Sequence, residues 1–243
     1  MGRIFITGST DGLGRGAALA LLDEGHEVIV HARNRDRLAA LRDLTERGAR
    51  AVVGDLVDLD QTREVADQVN RLGRPHAVIH NAGVVSGAAV LPVNVVAPYV
   101  LTALIGRPQR VIYLSSSMHR DGRASLDGMD WTGSRVTGSY SDSKLFVTTL
   151  MEAVARLWPD VISNAVDPGW VPTRMGGSSA PDDLRLGHVT QAWLATSDDA
   201  DALTSGGYWH HQRRSDPHPS VADERWQDDL LDALARHTGV PLE

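Results

Sequence analysis

Residues 3–14, RIFITGSTDGLG, decide the fold. The apolar run 3–7 ends in Thr-Gly and suits a buried strand, and the glycines that follow it suit a tight turn. Residues 13–24 then carry apolar side chains at helical spacing, and Gly25 ends that helix. A strand, a glycine turn and a helix in this order predict the first unit of a parallel α/β sheet.

The same alternation continues along the chain. It predicts an α/β fold, a three-layer doubly wound parallel sheet of the Rossmann type with about seven strands. We expect one domain, 1–243, in which the loops at about 117–137 and 170–190 shape a substrate pocket. Further strands are predicted at 27–31, 50–54, 76–80, 109–115, 161–166 and 206–210, and further helices at 35–47, 60–72, 91–106, 139–157, 184–196 and 221–236.

Composition excludes several classes of protein. Apolar residues make up 42% of the 243 residues and charged residues 23%, which is ordinary for a soluble globular chain. The formal net charge of −7 argues against a nucleic-acid partner, which would need a basic surface. The chain holds no cysteine, so a disulfide scaffold, a thiolate zinc site and a cysteine nucleophile are excluded.

One uncharged stretch has the length of a membrane span. Residues 88–106 carry no charge, but Pro92, Asn94 and Pro98 interrupt the apolar run. A buried helix is the better interpretation, so we expect no membrane contact. Turn chemistry begins by Gly8, which leaves no room for a signal-peptide core, and we expect a cytoplasmic protein.

The glycine turn after the first strand predicts a dinucleotide site. Gly8 permits the sharp turn, Gly12 lets the backbone approach a pyrophosphate, and Gly14 lets the helix pack close to the sheet. The helix N-terminus offers free N–H groups and a partial positive charge to the anion.

The end of the second predicted strand favours NADP(H) over NAD(H). A carboxylate there would bind the adenosine ribose of NAD, but this chain reads His31-Ala32-Arg33-Asn34. The Arg33 guanidinium can pair with a 2′-phosphate, and Arg15 lies near enough in sequence to help.

With these motifs in order, the chain resembles the single-domain branch of the short-chain dehydrogenase/reductase family. The resemblance covers essentially the whole chain. The matching motifs are Thr7–Gly14, Asp55-Leu56, Asn81-Ala82-Gly83, Asn94, Ser116, Tyr140-Ser-Asp-Ser-Lys144 and Pro168-Gly169-Trp-Val171-x-Thr173.

Three positions depart from the family pattern. His80 stands before Asn-Ala-Gly where an asparagine is common, and Asp11 occupies a turn position that is basic in some NADP-using members. Ser116 lies 24 residues before Tyr140, about twice the usual separation. The longer loop is similar to that of retinol-dehydrogenase-like members.

Tyr140 and Lys144 are four residues apart and share one helical face. A phenol has a pKa of about 10, and we expect the Lys144 ammonium to lower the pKa of Tyr140. Of the 24 basic residues, 23 are arginine and Lys144 is the one lysine, a bias that suggests a GC-rich bacterial genome. A lysine kept at this one position supports a role that arginine cannot fill.

The resemblance implies a role for each site residue. Tyr140 would be the acid/base, Lys144 would also bond the nicotinamide ribose, and Asn94 would hold a proton relay. Ser116 would donate to the substrate oxygen, with Ser115 and Ser117 as rivals. The expected cofactor contacts are Gly8, Thr10, Asp11, Gly12, Leu13, Gly14, Arg33, Asp55, Leu56, Asn81, Ala82, Gly83, Tyr140, Lys144, Pro168, Gly169, Val171 and Thr173.

The sequence therefore predicts an NADP(H)-dependent oxidoreductase that acts on a ketone, an aldehyde or the corresponding alcohol. The alternative is a non-catalytic NADP-binding sensor or scaffold protein. We expect a small-molecule partner, a homodimer or homotetramer, and no metal, since His210-His211 lacks supporting ligands.

Overall fold

The computed structural model describes residues 1–242, and its strands form one eight-stranded sheet in the order β3-β2-β1-β4-β5-β6-β7-β8. All neighbouring strands are parallel except β7 and β8. The strands are β1 (Arg3–Ile6), β2 (Glu27–Ala32), β3 (Arg50–Val53), β4 (Ala77–His80), β5 (Arg110–Leu114), β6 (Ile162–Asp167), β7 (Gly207–His210) and β8 (Arg213–Ser215). The predicted doubly wound fold is confirmed.

Helices cover both faces of the sheet, which is why the strands read as almost continuous apolar runs. The α-helices are α1 (Gly12–Asp23), α2 (Arg42–Glu46), α3 (Leu59–Leu72), α4 (Ala97–Leu104), α5 (Tyr140–Leu157), α6 (Leu184–Gly187), α7 (Val189–Thr196) and α8 (Glu224–Thr238). Side chains of α1 and α7 pack on one face, and those of α3, α4, α5 and α8 pack on the other. The two layers of helices and the sheet between them form the predicted three layers.

The eighth strand is a difference from the prediction of about seven. A two-residue turn, His211-Gln212, reverses the chain after β7 and pairs β8 antiparallel to it. Both turn residues have positive φ, 48° and 60°, values that tight hairpins normally assign to Gly or Asn. Neither residue type signals a hairpin, so the sequence did not predict this strand.

The uncharged stretch is buried within the chain itself. A π-helical turn at Pro92–Val96 runs into α4, and residues 90–102 are all buried. Within residues 1–242, no helix has both the length and the hydropathy needed to cross a membrane.

Two other predicted helices are divided. The first half of 35–47 is a 3₁₀ helix at Arg35–Leu41 that runs into α2. The predicted helix 184–196 is interrupted at His188, between α6 and α7. A further 3₁₀ turn, Ser117–Asp121, lies in the loop after β5. The carboxyl ends of the parallel strands still meet at one edge, where such sheets bind ligands.

Candidate active site

The turn between β1 and α1 requires glycine at two positions. Gly12 has a φ of +54°, and a Cβ added there would lie 3.3 Å from Thr173 Cγ2. A Cβ on Gly14 would collide with Asn81 Nδ2 and with the Gly8 carbonyl oxygen. The turn therefore stays narrow, with its backbone open toward the loop after β6.

The first turn of α1 is free to bind an anion. Asp11 precedes the helix, yet its side chain makes no capping hydrogen bond. Its carboxylate instead lies 2.9 Å from an Arg37 guanidinium nitrogen, which also donates to Thr10 Oγ1 at 2.9 Å. The N–H groups at the start of α1 are thus not used by a side-chain cap.

His31 ties the glycine turn to β3, and the sequence did not single it out. Its Nδ1 accepts from the Gly8 N–H at 3.1 Å, and its Nε2 donates to the Gly54 carbonyl oxygen at 2.8 Å. Burial lowers the pKa of His31, which suits a neutral ring with one donor and one acceptor nitrogen. Arg33 follows on the surface, its Nε 4.0 Å from Asp55 Oδ2.

The segment after β4 is held against the turn by Thr7. Its Oγ1 accepts from the N–H groups of Asn81 at 3.0 Å and Ala82 at 2.9 Å, while Asn81 Nδ2 donates to the Thr7 carbonyl oxygen at 2.9 Å. Gly83 follows, and a Cβ there would lie 3.4 Å from Asn94 Oδ1 and 3.6 Å from Lys144 Nζ. Two of the expected catalytic side chains thus meet at this glycine.

Asn94 lies in the π-helical turn, a kind of irregularity that is frequent at functional sites. Its Oδ1 accepts from the Val84 N–H at 2.9 Å, and its Nδ2 donates to the Val84 carbonyl oxygen and to Ser143 Oγ, both at 2.9 Å. Ser143 Oγ donates in turn to the Tyr140 carbonyl oxygen at 2.7 Å. Asn94 therefore links the segment after β4 to the start of α5.

The structure separates Ser116 from its rivals. Ser115 Oγ is buried and bonded to Thr148 Oγ1 at 2.7 Å, and Ser117 lies exposed in the 3₁₀ turn. The Ser116 hydroxyl lies close enough to Tyr140 for hydrogen bonding to lower the pKa of the phenol. Ser116 is therefore the serine best placed to act with Tyr140.

A buried histidine that the sequence did not assign to the site positions this serine. His119 Nδ1 donates to the Ser116 carbonyl oxygen at 2.7 Å, and His119 Nε2 accepts from the His218 N–H at 3.0 Å. Its ring also packs on Tyr208, with centroids 4.5 Å apart. Burial lowers the pKa of His119, so the ring stays in the neutral form that this pair of contacts needs.

Lys144 and Tyr140 stand side by side on α5. Lys144 Nζ lies 5.5 Å from the centroid of the Tyr140 ring and donates to the Leu114 carbonyl oxygen at 2.7 Å. Burial raises the pKa of Tyr140 to about 12 and lowers that of Lys144 to about 8. The expected lowering of the phenol's pKa by Lys144 is therefore not seen, because burial of the phenol raises its pKa more than the hydrogen bond with Ser116 lowers it.

The expected contacts after β6 divide into two groups. Pro168 and Thr173 reach the cavity described below, and Thr173 Oγ1 accepts from the Gly176 N–H at 3.1 Å. Gly169 and Val171 do not line it. The Gly169 N–H is bonded to Asp167 Oδ1 at 3.0 Å, and Val171 is buried against Gly187.

A cavity of about 550 Å³ joins these elements, a volume typical of small-molecule and cofactor sites. The loop 170–190 contributes Thr173, Arg174 and Met175, whereas no residue of 117–137 lines it within the described chain. Gly14, Asn94 and Ser116 are not among the lining residues, whereas Ser115 is. The expected residues that do line it are Gly8, Thr10, Asp11, Gly12, Leu13, Arg33, Asp55, Leu56, Asn81, Ala82, Gly83, Tyr140, Lys144, Pro168 and Thr173.

The sequence missed several wall residues. Beside His31 and Arg37, the wall includes a mostly apolar group, which consists of Val84, Val85, Ser86, Ala89, Val93 and Met175. Trp131, Trp170 and Trp209 do not line the cavity. Within residues 1–242, no group of three or more His, Cys, Asp or Glu side chains is arranged to hold a metal ion.

The fold and this arrangement of side chains define a Rossmann-type α/β oxidoreductase. Residues 3–105 match the family model described as short chain dehydrogenase. The chain is 35% identical to the short-chain dehydrogenase chry4 of Gibberella zeae, covering 100% of this chain and 99% of that one. It is 31% identical to a putative daunorubicin C-13 ketoreductase, DnrU, of a Streptomyces species, covering 97% and 92%. The chain belongs to the short-chain dehydrogenase family.

Solved structures share the fold. A putative uncharacterized protein from Mycobacterium paratuberculosis superposes with a TM-score of 0.82 at 23% identity, over 100% of this chain and 95% of that one. A putative short-chain dehydrogenase from Shigella flexneri, solved with NADP, superposes with a TM-score of 0.70 at 22% identity, over 87% and 97%. Relatives from both fungi and bacteria are among the matches, so the bacterial origin suggested by composition gains no support.

Proposed function

We propose that the protein transfers a hydride between NADP(H) and a ketone, aldehyde or alcohol, with Tyr140 as the acid/base. One observation carries the proposal. Tyr140 and Lys144 line the same cavity as the glycine turn Gly8–Leu13, so that a dinucleotide held at the turn would extend to the phenol. The ketoreductase relative supports a carbonyl substrate.

The residues present fit a nicotinamide dinucleotide. The uncapped first turn of α1 would receive the pyrophosphate, and Gly12, which has no Cβ to fill the space beside Thr173, leaves room for it. Arg33 and Arg37 line the same cavity as the glycine turn, and guanidinium groups that could pair with an adenosine 2′-phosphate support NADP(H). The cofactor contacts assigned from sequence remain part of this proposal, and the bound dinucleotide would supply or accept the hydride.

Side chains of this protein would donate the proton that carbonyl reduction needs and stabilise the charge left behind. Because the pKa of Tyr140 is about 12, the phenol is protonated at neutral pH and Tyr140 Oη can donate its proton to a carbonyl oxygen. Ser116 Oγ would donate a hydrogen bond to the same oxygen, and the Lys144 ammonium would stabilise the phenolate that forms. Asn94 joins the Val84 backbone to the Ser143 hydroxyl, which in turn bonds the Tyr140 carbonyl oxygen.

The cavity wall indicates the class of substrate. It includes the apolar side chains Val84, Val85, Ala89, Val93 and Met175, so we expect an apolar carbonyl compound. A cytoplasmic location and a homodimer or homotetramer stay predictions. The uncharged segment 90–102 is buried in the chain, so an interface would have to use another surface.

The first test compares Tyr140→Phe with the wild-type protein on a panel of apolar ketones and aldehydes, following the loss of NADPH absorbance. Removal of the proton donor should lower turnover about 100-fold or more, while nicotinamide fluorescence still shows NADPH binding. Tyr99→Phe is the matched control, because the Tyr99 hydroxyl bonds the Val240 carbonyl oxygen outside the cavity.

Undiminished turnover in Tyr140→Phe would remove Tyr140 from the reaction. Tight NADPH binding without turnover of any carbonyl compound would favour the sensor or scaffold alternative. If neither NADPH nor NADH bound, the dinucleotide site itself would be refuted.

A further inference from the structure

Lys144 carries a charge in a place that does not favour one. The residue is 4% exposed, and the hydrogen bond that fixes its Nζ goes to a neutral carbonyl oxygen, that of Leu114. A buried ammonium is costly unless an opposite charge lies near it. No carboxylate oxygen lies within 4.0 Å of Nζ in the described chain, so any compensating charge acts from a greater distance.

The sheet places a buried carboxylate on the strand next to the one that Lys144 contacts. Leu114 on β5 pairs with Val166 on β6, and Asp167 is the next residue of β6. Side chains alternate across a strand, so Asp167 points to the same face as Ala165, the face on which α5 packs. Asp167 is 6% exposed, and its charge is thus held near Lys144 in a poorly solvated region.

The contacts of Asp167 fix its orientation. Its Oδ1 accepts from the Gly169 N–H at 3.0 Å, and its Oδ2 lies 3.6 Å from His210 Nδ1. The burial of Tyr208 and the nearby Asp167 carboxylate together raise the pKa of the Tyr208 phenol, which stays uncharged.

Other titratable and charged groups face the same region. Tyr140 lies on α5 with Lys144, His119 and Arg120 come from the 3₁₀ turn after β5, and His218 approaches from the segment after β8. Arg120 extends over the Tyr208 ring and donates to the Asp216 carbonyl oxygen. Asp167 is the carboxylate whose field raises the pKa of Lys144, against the burial that lowers it.

We propose that Asp167 is the counter-ion that keeps Lys144 an ammonium in its buried site, and thereby a positioning residue for the reaction. Its consequence for turnover rests on the proposed function; its effect on Lys144 does not. The pKa of Lys144, about 8, leaves only a small margin above neutral pH. Loss of the Asp167 charge would therefore leave a large share of the lysine neutral under working conditions.

Asp167→Asn removes the charge and little else. The asparagine Oδ1 can still accept from the Gly169 N–H, so the turn after β6 keeps its bond. Glu152→Gln is the matched control, since Glu152 is a half-buried carboxylate on the same helix as Lys144, next to Gly206 and outside the cavity. Asp167→Glu restores the charge on a side chain one methylene longer.

The single lysine makes the measurement direct. With [ε-¹³C]lysine in the medium, the whole chain gives one lysine resonance, that of Lys144. Its chemical shift, followed against pH, reports the charge of Nζ without any substrate. Asp167→Asn should move the titration down by about one pH unit or more, which at pH 8 lowers the ammonium fraction about fivefold.

Glu152→Gln and Asp167→Glu should titrate close to wild type. In turnover assays, the loss of carbonyl reduction at alkaline pH should move down by the same interval in Asp167→Asn alone. An unchanged Lys144 titration in Asp167→Asn, or an equal shift in Glu152→Gln, would overturn the inference. If Asp167→Asn does not fold, the wild-type resonance decides: a neutral amine at pH 7 contradicts the counter-ion role, and an ammonium supports it.

The two proposals fail separately. A shifted Lys144 titration without hydride transfer by the wild-type protein would confirm the counter-ion and refute the proposed activity. Normal carbonyl reduction by the wild-type protein, together with an unshifted Lys144 titration in Asp167→Asn, would support the proposed activity and refute the counter-ion.

Discussion

At the scale of single residues, Arg33 and Arg37 differ in how closely each guanidinium group is paired with a carboxylate. The Arg37 guanidinium donates to Asp11 Oδ2 and to Thr10 Oγ1, both at 2.9 Å. The Arg33 side chain is 65% exposed, and its nearest carboxylate oxygen, on Asp55, is 4.0 Å away. Arg37 thus neutralises the acidic turn residue that departs from the family pattern, and Arg33 remains available to a 2′-phosphate.

We therefore predict that Arg33→Asp reverses the cofactor preference. The wild-type protein should bind NADPH at least about tenfold more tightly than NADH, a difference of about 1.4 kcal/mol. An aspartate at this position would repel the 2′-phosphate and accept bonds from a free ribose. Nicotinamide fluorescence, titrated side by side with both nucleotides, measures the ratio.

Arg225→Asp is the control for the change in net charge, because Arg225 lies on α8 outside the cavity. Its ratio should match the wild type. Tighter binding of NADH by the wild-type protein would contradict the role given to Arg33.

At the scale of elements, the N-terminus of α5 sets the position of Tyr140, its first residue. Ser139 Oγ accepts from the Asp142 N–H at 3.0 Å, and Asp142 Oδ2 accepts from the Ser139 N–H at 2.9 Å, which forms a capping box. Asp142 Oδ1 also accepts from the Arg123 N–H at 2.8 Å, which ties the long loop to the helix. The cap therefore fixes both the helix start and the loop beside it.

Ser139→Ala should lower the free energy of unfolding by about 1 kcal/mol, the usual cost of a lost N-cap. Because the first turn carries Tyr140, we also expect kcat to fall more than KM rises. Urea unfolding and steady-state kinetics measure the two effects. Ser141→Ala, in the same turn but outside the cap, should change neither quantity, and equal effects in both variants would count against the cap.

Some elements of this fold could be predicted from the sequence and others could not. The capping residues and the spacing of Tyr140 and Lys144 are local, so α5 was expected at 139–157 and begins at Tyr140. The π-helical turn around Asn94 has no local signature, because the bonds from Asn94 to Val84 and Ser143 come from distant segments. The His211-Gln212 turn was missed since its residues adopt a backbone shape usually left to Gly or Asn.

At the scale of the whole molecule, the parallel sheet explains why so much of the site was predictable. Strand alternation fixes which loops meet, and the segments after β1, β2, β3, β4 and β6 do line one cavity. The contacts between those segments were not predictable. His31, His119 and Asp167 each contact one residue that is distant in sequence, namely Gly8, His218 and His210, and a sequence without its fold does not pair them.

We propose that a hydride is transferred to a carbonyl carbon in this cavity, and isotope labelling tests this proposal. The most direct measurement incubates the wild-type protein with NADPH deuterated at the reactive C4 position and the carbonyl panel, and analyses the alcohols by mass spectrometry. We expect one deuterium per alcohol formed, on the carbinol carbon, and about 100-fold less labelled alcohol with Tyr140→Phe at matched times. Alcohol formed without deuterium from either C4-labelled epimer of NADPH, or no alcohol from any carbonyl compound under saturating NADPH, would contradict it.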